Sequence, residues 1–348
     1  MEGGKMRKRV LLDFGLQELK DMVAGYGYPG YRGKQVWDWL YKGAAGMRDM
    51  RNLPGDLIHR LEEDFVTGMP RIVKKQVSAL DGTAKYLVEY DDGSMVECVY
   101  LIYRFGRTVC VSSQVGCRMG CSFCASTKGG LVRSLSGGEM LAQVLTVQKD
   151  AGERITNVVV MGSGEPMDNF ENVVAFIRLL GSEEGLNIGL RHVTVSTCGL
   201  VPEIKRLADL KLPITLSVSL HAADDETRLR LMPVARKYKI EEVLEGCRYY
   251  IQRTGRRVTF EYALVEGVND RSGDAERLAG LLKGMLCNVN LIPVNPVEGT
   301  LMRQPDNRRV RTFKRILADR GINATVRREM GRDIAGACGQ LKAGYMKE

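Results

Sequence analysis

Residues 117–124 read CRMGCSFC. Three cysteines, Cys117, Cys121 and Cys124, fall within this stretch at the spacing Cys-x3-Cys-x2-Cys. Thiolates spaced in this way can hold three irons of a cubane iron–sulfur cluster and leave the fourth iron open. Structural zinc takes four ligands, usually as two separated pairs. Here no second cysteine pair and no neighbouring histidine completes a tetrahedron, so an iron–sulfur cluster explains the motif better than zinc. The chain has nine cysteines. An odd number, mostly isolated, fits a reducing compartment rather than a secreted disulfide framework.

The motif follows an apolar strand near 107–113, and from there strand, loop and helix alternate. Strands are expected near 107–113, 156–161, 192–197, 213–220, 258–264, 288–294 and 323–328. Helices are expected over 136–150, 169–181, 200–210, 239–253, 271–284 and 305–320. This order builds βαβ units and a parallel sheet, most simply a full or partial (β/α) barrel. Two strands carry polar residues at alternate positions: Thr215, Ser217, Ser219 and His221 in one, His192, Thr194 and Ser196 in the other. A strand buried on both faces is near-continuously apolar, so this polar face points to a polar ligand inside the barrel.

Upstream, residues 71–105 have strand character, and the DDG at 91–93 separates 85–90 from 95–103 as a hairpin turn does. Residues 13–66 read as helical. Val36, Trp37, Leu40 and Tyr41 share one helical face, and Pro54 sits just inside the start of a helix running to Phe65. The chain is therefore read as α/β in two parts: a small helical adaptor over 1–70, then a β-extension and barrel over 71–348.

Of the 348 residues, 44% are hydrophobic and 27% charged, as in a globular protein rather than a disordered, collagenous or membrane-spanning one. No apolar run approaches the roughly 18 residues of a membrane span. Residues 1–12 are basic but lack the apolar core of a signal peptide, and the expectation is a cytoplasmic protein without membrane partners. Net charge is +9, with twelve Lys/Arg against five Asp/Glu in residues 301–348. Such a basic surface attracts nucleic-acid phosphates by counterion release.

Cys-x3-Cys-x-Phe-Cys resembles the signature of radical S-adenosylmethionine (SAM) enzymes, and further motifs narrow the resemblance to the RlmN/Cfr-type adenosine methyltransferases. These are 112–117 (SSQVGC), 123–126 (FCAS), 161–169 (MGSGEPMDN), 217–221 (SVSLH), 293–296 (PVNP) and 331–341 (GRDIAGACGQL). The resemblance runs from about residue 10 to about 345. The resemblance implies a radical SAM barrel, a 4Fe-4S cluster on Cys117, Cys121 and Cys124, and SAM contacts at Gly164, Glu165, Ser196, Ser219, Leu220, His221 and Asn295. Each of these contact positions falls at or just past the end of an expected strand, where ligands sit in parallel α/β folds. Gly164 is expected to let the backbone approach the ligand, and Glu165 to accept hydrogen bonds from the SAM ammonium group.

The resemblance also assigns a catalytic pair. Cys338 accepts a methyl group from one SAM as thiolate. A radical from a second SAM then activates that methyl for addition to an adenine carbon. Glu97 takes the ring proton, and Cys110 releases the product by forming a disulfide with Cys338. The implied substrates are an adenosine near the peptidyl-transferase centre of 23S rRNA and an anticodon-loop adenosine of tRNA, methylated at carbon 2. An electron donor such as flavodoxin is implied, and nothing demands more than a monomer. Pro166 is similar to the carbon-2 group, whereas the Cfr type, which methylates carbon 8, has Ala there; Ser163 departs from the Met common to both. A non-catalytic, zinc-stabilised RNA-binding protein is the rival from another class.

RNA contact is expected from Arg303, Arg308, Arg309, Arg311, Lys314, Arg315, Arg327 and Arg328, with Tyr31, Arg32, Lys34 and Trp37 at the N-terminal end. Cys98, Cys198, Cys247 and Cys287 are read as core residues, His59 as a surface residue, and His192 as barrel filler.

Overall fold

Three amphipathic helices open the chain: α1 (Leu16–Gly25), α2 (Tyr31–Tyr41) and α3 (Gly55–Asp64). The computed structural model describes residues 8–297 and 299–341, so the first seven residues of the basic N-terminus, Glu298 and the end of the chain from 342 on lie outside it. Helix α2 buries Val36, Trp37 and Leu40 on one face, as their spacing requires. Pro54 caps α3 from outside instead of occupying its first turn. The short strands β1 (Arg9–Val10) and β2 (Phe65–Val66) pair in parallel and bracket the three helices.

These helices do not build a separate core. Leu11, Leu12, Val36, Trp37 and Leu40 belong to the same buried cluster as Met140, Val144 and Phe176 of the barrel. The Trp37 Nε1–H donates to the Glu184 carbonyl at 3.0 Å, and its ring is 1% exposed. Trp37 is therefore a core residue, which corrects its expected place among the RNA contacts. Large amphipathic rings are drawn into a core when their N–H finds a partner there.

Strands β3 (Arg71–Val77), β4 (Ala84–Glu89) and β5 (Met95–Tyr103) form an antiparallel meander, and β5 pairs with β6 (Gly106–Val111). A small hairpin, β7 (Gln114–Gly116) with β8 (Leu131–Ser134), brackets the cysteine loop. Then come α4 (Gly137–Ala151), β9 (Asn157–Val160), α5 (Phe170–Leu180), β10 (Val193–Thr197), α6 (Val201–Asp209), β11 (Thr215–Ser219), α7 (Asp225–Leu231), α8 (Ile240–Thr254), β12 (Val258–Leu264), α9 (Ser272–Leu282), β13 (Cys287–Pro293), α10 (Asn307–Asp319) and β14 (Ala324–Val326). Local capping sets several boundaries. Ser136 and Glu139 form a reciprocal capping box on α4, and Gly152 ends it in the left-handed conformation. Asp224 caps α7 and Asp306 caps α10.

The main sheet runs β14-β13-β12-β11-β10-β9-β6-β5-β4-β3. Its strands from β14 to β6 are parallel, and β6 and β14 do not pair with each other. The barrel is thus partial, and the expected β-extension continues the same sheet beyond β6. No described helix is long and apolar enough to cross a membrane.

Candidate active site

The three cysteines sit in a loop tied down at both ends. The Cys117 N–H donates to the Gly130 carbonyl at 2.9 Å, and the Ser122 N–H to the Leu231 carbonyl at 3.0 Å. Arg118 Nε and Gln114 Nε2 both donate to Asp168, at 3.0 and 2.9 Å. Phe123 meets His221 edge-to-face at 4.8 Å between centroids. The loop thereby faces a cavity at the carboxyl ends of β9–β13, walled by Cys117, Cys121 and Cys124 on one side.

Gly164, Glu165, Ser196, Ser219, His221 and Asn295 line that same cavity. Glu165 is buried, and its carboxylate accepts from the Met167 N–H at 3.0 Å and the Cys198 N–H at 2.8 Å. Burial pushes its pKa up, against those hydrogen bonds. A cation brought into the cavity would favour its charged form.

Leu220 behaves differently. Its side chain is fully buried in the apolar core and its N–H donates to the Glu261 carbonyl. It is not among the residues lining the cavity, which corrects its expected place among the SAM contacts.

Gly164 also has a different reason from the one expected. At φ +103° a Cβ there would lie 2.6 Å from Gln114 Cβ and 2.8 Å from its backbone nitrogen. A Cβ on Gly162 would meet Ser112 as closely. These glycines let the β9 loop pack onto the end of β6, and the ligand wall is a consequence. Ser163 between them is buried, and its N–H donates to Ser112 Oγ at 2.8 Å. It is not among the residues lining the cavity.

His221 adopts φ +57°, which is uncommon for a residue with a Cβ. Its Nδ1 accepts from the Ala263 N–H at 2.9 Å. Burial, reinforced by the Arg228 charge, lowers its pKa to about 3, so it is neutral with the proton on Nε2. Because the folded pKa lies below the unfolded one, this histidine contributes stability above about pH 6.5 that is lost as pH falls towards 3. Between pH 7.5 and 5.5 the loss should be about 1.4 kcal/mol. His221→Asn, which tolerates the left-handed backbone, should lack this component. Anaerobic unfolding of both proteins at the two pH values measures it; an equal loss in both would refute it.

A second cavity opens behind the first. Val99, Leu101 and Tyr103 of β5, Cys110 of β6, and the segment 326–330 from the end of β14 onward surround it. Cys338, Arg327, Asn295, Met161 and Ile292 line both cavities. Asn295 Nδ2 donates to the Cys338 carbonyl at 3.0 Å, and the Ala125 N–H to the Gly339 carbonyl at 2.8 Å. The Cys338 loop is thus pinned between the cluster loop and β13. Burial pushes the Cys110 thiol up to about 12. Burial also raises that of Cys338, with Arg327 pulling it down. Glu97 does not line either cavity. It lies on β5 one alternate position before Val99, and its carboxylate pairs with Lys85 Nζ at 3.2 Å.

Several expectations change here. Arg327, expected among the RNA contacts near the Cys338 loop, has its side chain at the junction of the cavities beside Cys338. Arg309 is engaged with Asp270 at 2.9 Å and Lys34 with Asp38. Arg303, Arg308, Arg311, Lys314 and Arg315 remain exposed. His192 is exposed and hydrogen-bonded to Asn157 at 3.0 Å, so it is not barrel filler. Cys198 is buried as expected but also walls the first cavity.

The sequence reading missed Glu261 and Arg228. Glu261 accepts from Ser217 Oγ at 2.5 Å and Asn290 Nδ2 at 2.8 Å inside the first cavity. A lone carboxylate in the strand VTFEYAL was the available signal. Arg228 is fully buried on α7 and donates to the Cys198 and Tyr238 carbonyls. Nothing in its local sequence announces that burial.

Comparison with known proteins agrees with this geometry. A family model described as the radical SAM superfamily matches residues 111–279, and one described as the ribosomal RNA large subunit methyltransferase N-terminal domain matches 10–66. The crystal structure of a radical SAM methyltransferase from Sphaerobacter thermophilus superposes with a TM-score of 0.92 at 46% identity, covering 96% of this chain and 99% of that one. A protein of Clostridium tetani named probable dual-specificity RNA methyltransferase RlmN is 52% identical over 337 residues, 97% of each chain. The chain belongs to the RlmN family of radical SAM methyltransferases. A Clostridium acetobutylicum relative of the same name is 52% identical over 338 residues, 97% of this chain and 98% of that one.

Radical SAM enzymes carry a 4Fe-4S cluster and use SAM, and the RlmN-family site fits both. Cys117, Cys121 and Cys124 share one wall of the first cavity, a donor set that suits thiolates spread over three irons of a cubane. Burial pushes the Cys117 thiol up to about 12 and raises those of Cys121 and Cys124, while Arg228 favours the Cys121 thiolate. Thiols in this state need bound iron to be held as thiolates.

Proposed function

We propose that this RlmN-family enzyme methylates carbon 2 of adenosine in 23S rRNA near the peptidyl-transferase centre and in the anticodon loop of tRNA. One observation carries the reading: Cys110 and Cys338 line one cavity, and Cys338 also lines the cavity walled by the cluster cysteines. An aromatic C–H of adenine is a poor nucleophile, and two cysteines beside a cluster answer that difficulty.

The Cys338 thiolate, assisted by the Arg327 charge, attacks the methyl carbon of one SAM, forming an S–CH3 bond as the bond to the departing S-adenosylhomocysteine breaks. Cys117, Cys121 and Cys124 would hold the cluster, which when bound would supply the one electron needed to cleave a second SAM to the radical that activates that methyl group. Gly164, Glu165, Ser196, Ser219, His221 and Asn295 hold SAM in the first cavity, Glu165 receiving its ammonium group. The adenine occupies the second cavity; Glu97, which stands on β5 one alternate position before the lining residue Val99 and outside the cavity wall itself, is the residue that matches the family's base for the ring proton, and Cys110 attacks the Cys338 sulfur to release the product. A base that reaches this depth has left its stack, and an anticodon loop presents such a base readily. Arg328 and Arg332 line this cavity. Phe105, 76% exposed, stacks on Tyr103 beside it, and can extend the platform for a flanking base.

Residues 1–70 serve as the RNA-binding adaptor and 71–348 as the catalytic part. The enzyme works as a cytoplasmic monomer with a flavodoxin-like electron donor. Pro166 in the cavity wall favours carbon 2 over the carbon-8 alternative.

Anaerobic turnover with methyl-trideuterated SAM, a reductant and 23S rRNA or tRNA tests the reading by mass spectrometry of the adenosines. The expected product carries two deuteriums in a carbon-2 methyl group, because one is removed from the Cys338-bound methyl. Three deuteriums would mean direct transfer and overturn the mechanism. Label on carbon 8 would overturn the regiochemistry.

A further inference from the structure

Lys85 is a buried lysine, 9% exposed in its side chain, outside every motif used so far. Its ammonium group touches two parts of the site. It pairs with Glu97 Oε1 at 3.2 Å, and it donates to the Ala335 carbonyl at 3.3 Å, three residues before Cys338. Ala335 has φ +48°, a left-handed backbone that a residue with a Cβ keeps only when its surroundings hold it. The β3–β4 turn supplies further holds. The Gly331 N–H donates to Asp81 at 2.9 Å, and Asp333 accepts from Ser78 Oγ at 2.6 Å and the Ala79 N–H at 2.9 Å. Lys85 differs from these anchors because its other partner is the carboxylate read as the proton acceptor.

We propose that Lys85 is a positioning residue that ties Glu97 to the Cys338 loop, so that the proton acceptor and the sulfur that Cys110 attacks are held in register during product release. This rests on the roles given above to Glu97 and Cys338. With Glu97 charged, the ammonium is held between carboxylate and carbonyl in a poorly screened setting. The proton moves from the ring carbon to the carboxylate and the C–H electron pair stays with the ring; the one unpaired electron left on the adduct by radical addition would pass back to the cluster that gave one up, leaving a closed-shell thioether. The ammonium keeps its hold on the Ala335 carbonyl through this step, so the Cys338 loop stays in place for the approach of Cys110. Its sulfur bonds to Cys338 sulfur while the bond from Cys338 sulfur to the base-bound carbon breaks. The released electron pair goes to that carbon, which takes a solvent proton.

The test separates early from late steps in Lys85→Met, Lys85→Arg and Glu97→Gln proteins. Methylation of Cys338 is read by intact mass, the covalent protein–RNA adduct by denaturing gel, released methyladenosine by mass spectrometry, and folding by thermal midpoint. Lys85→Met is expected to methylate Cys338 within about twofold of the parent, accumulate adduct, and release product about tenfold or more slowly. Lys85→Arg should recover part of the release. If Lys85→Met does not fold, Lys85→Gln, which keeps a donor for Ala335, is read in the same way. Unchanged release in these variants, or loss of Cys338 methylation in step with release and thermal midpoint, would overturn the proposal. Glu97→Gln with normal release and no adduct would instead overturn the role of Glu97 itself.

Discussion

Cys338→Ala protein is expected to keep its full iron complement and lose methyl transfer to RNA by more than about 10³-fold, the scale on which removal of an attacking group acts. The loop that carries Cys338 is held by backbone and neighbouring side chains: Asn295 on the Cys338 carbonyl, Gly339 on Ala125, and Leu341 on Ser126 at 2.8 Å. None of these uses the thiol, so the loop should stay in place when the sulfur is removed. The cluster cysteines belong to a different loop with its own anchors, so cluster content should not change. Iron and sulfide analysis, intact mass after incubation with SAM, and RNA methylation separate the steps. The variant should show no mass increment of one methyl group and no methylated adenosine. Retained methylation would remove Cys338 from the mechanism.

Cys121→Ala should have the opposite signature: loss of iron and of SAM cleavage with the fold retained. Two remaining thiols cannot hold a cubane of this type. The loop itself is secured without them through Cys117 N–H, Ser122 N–H and the Arg118–Asp168 pair. Near-parent thermal unfolding of the metal-free proteins, together with absent cluster absorption, is the expected result. Stoichiometric zinc in the parent, with RNA binding but no methylation, would favour the binding-module alternative and defeat this prediction.

Much of this architecture was legible from local chemistry. The strand–helix alternation after residue 107 needs only hydrophobic periodicity, and the observed elements fall where that periodicity puts them. Helix α7 escaped because its seven residues, DETRLRL, are too few for a periodic signal. The β7–β8 hairpin escaped because its strands are three and four residues long. Ser217 and His221 showed as polar interruptions of an apolar strand, and both prove to be buried with hydrogen-bond partners. Trp37 was misread because amphipathic spacing shows which face a residue occupies and not whether another element covers that face. Arg327 was expected near the Cys338 loop and lies there, whereas its place in the wall of both cavities follows from tertiary packing alone.

The sequence by itself determined the cysteine motif, the parallel α/β order and the residue types at the ends of the strands, because each follows from spacing along one chain. Only the tertiary structure decided which distant residues share a wall. Cys110 on β6 and Cys338 beyond β14 are far apart in the strand order, and they meet because the sheet is curved and its parallel array is left open between those strands. The burial of Arg228, the placing of Glu261 in the cavity and the bridge from Lys85 to Glu97 and Ala335 arise in the same way. Long-range packing sets them, and no local propensity encodes it.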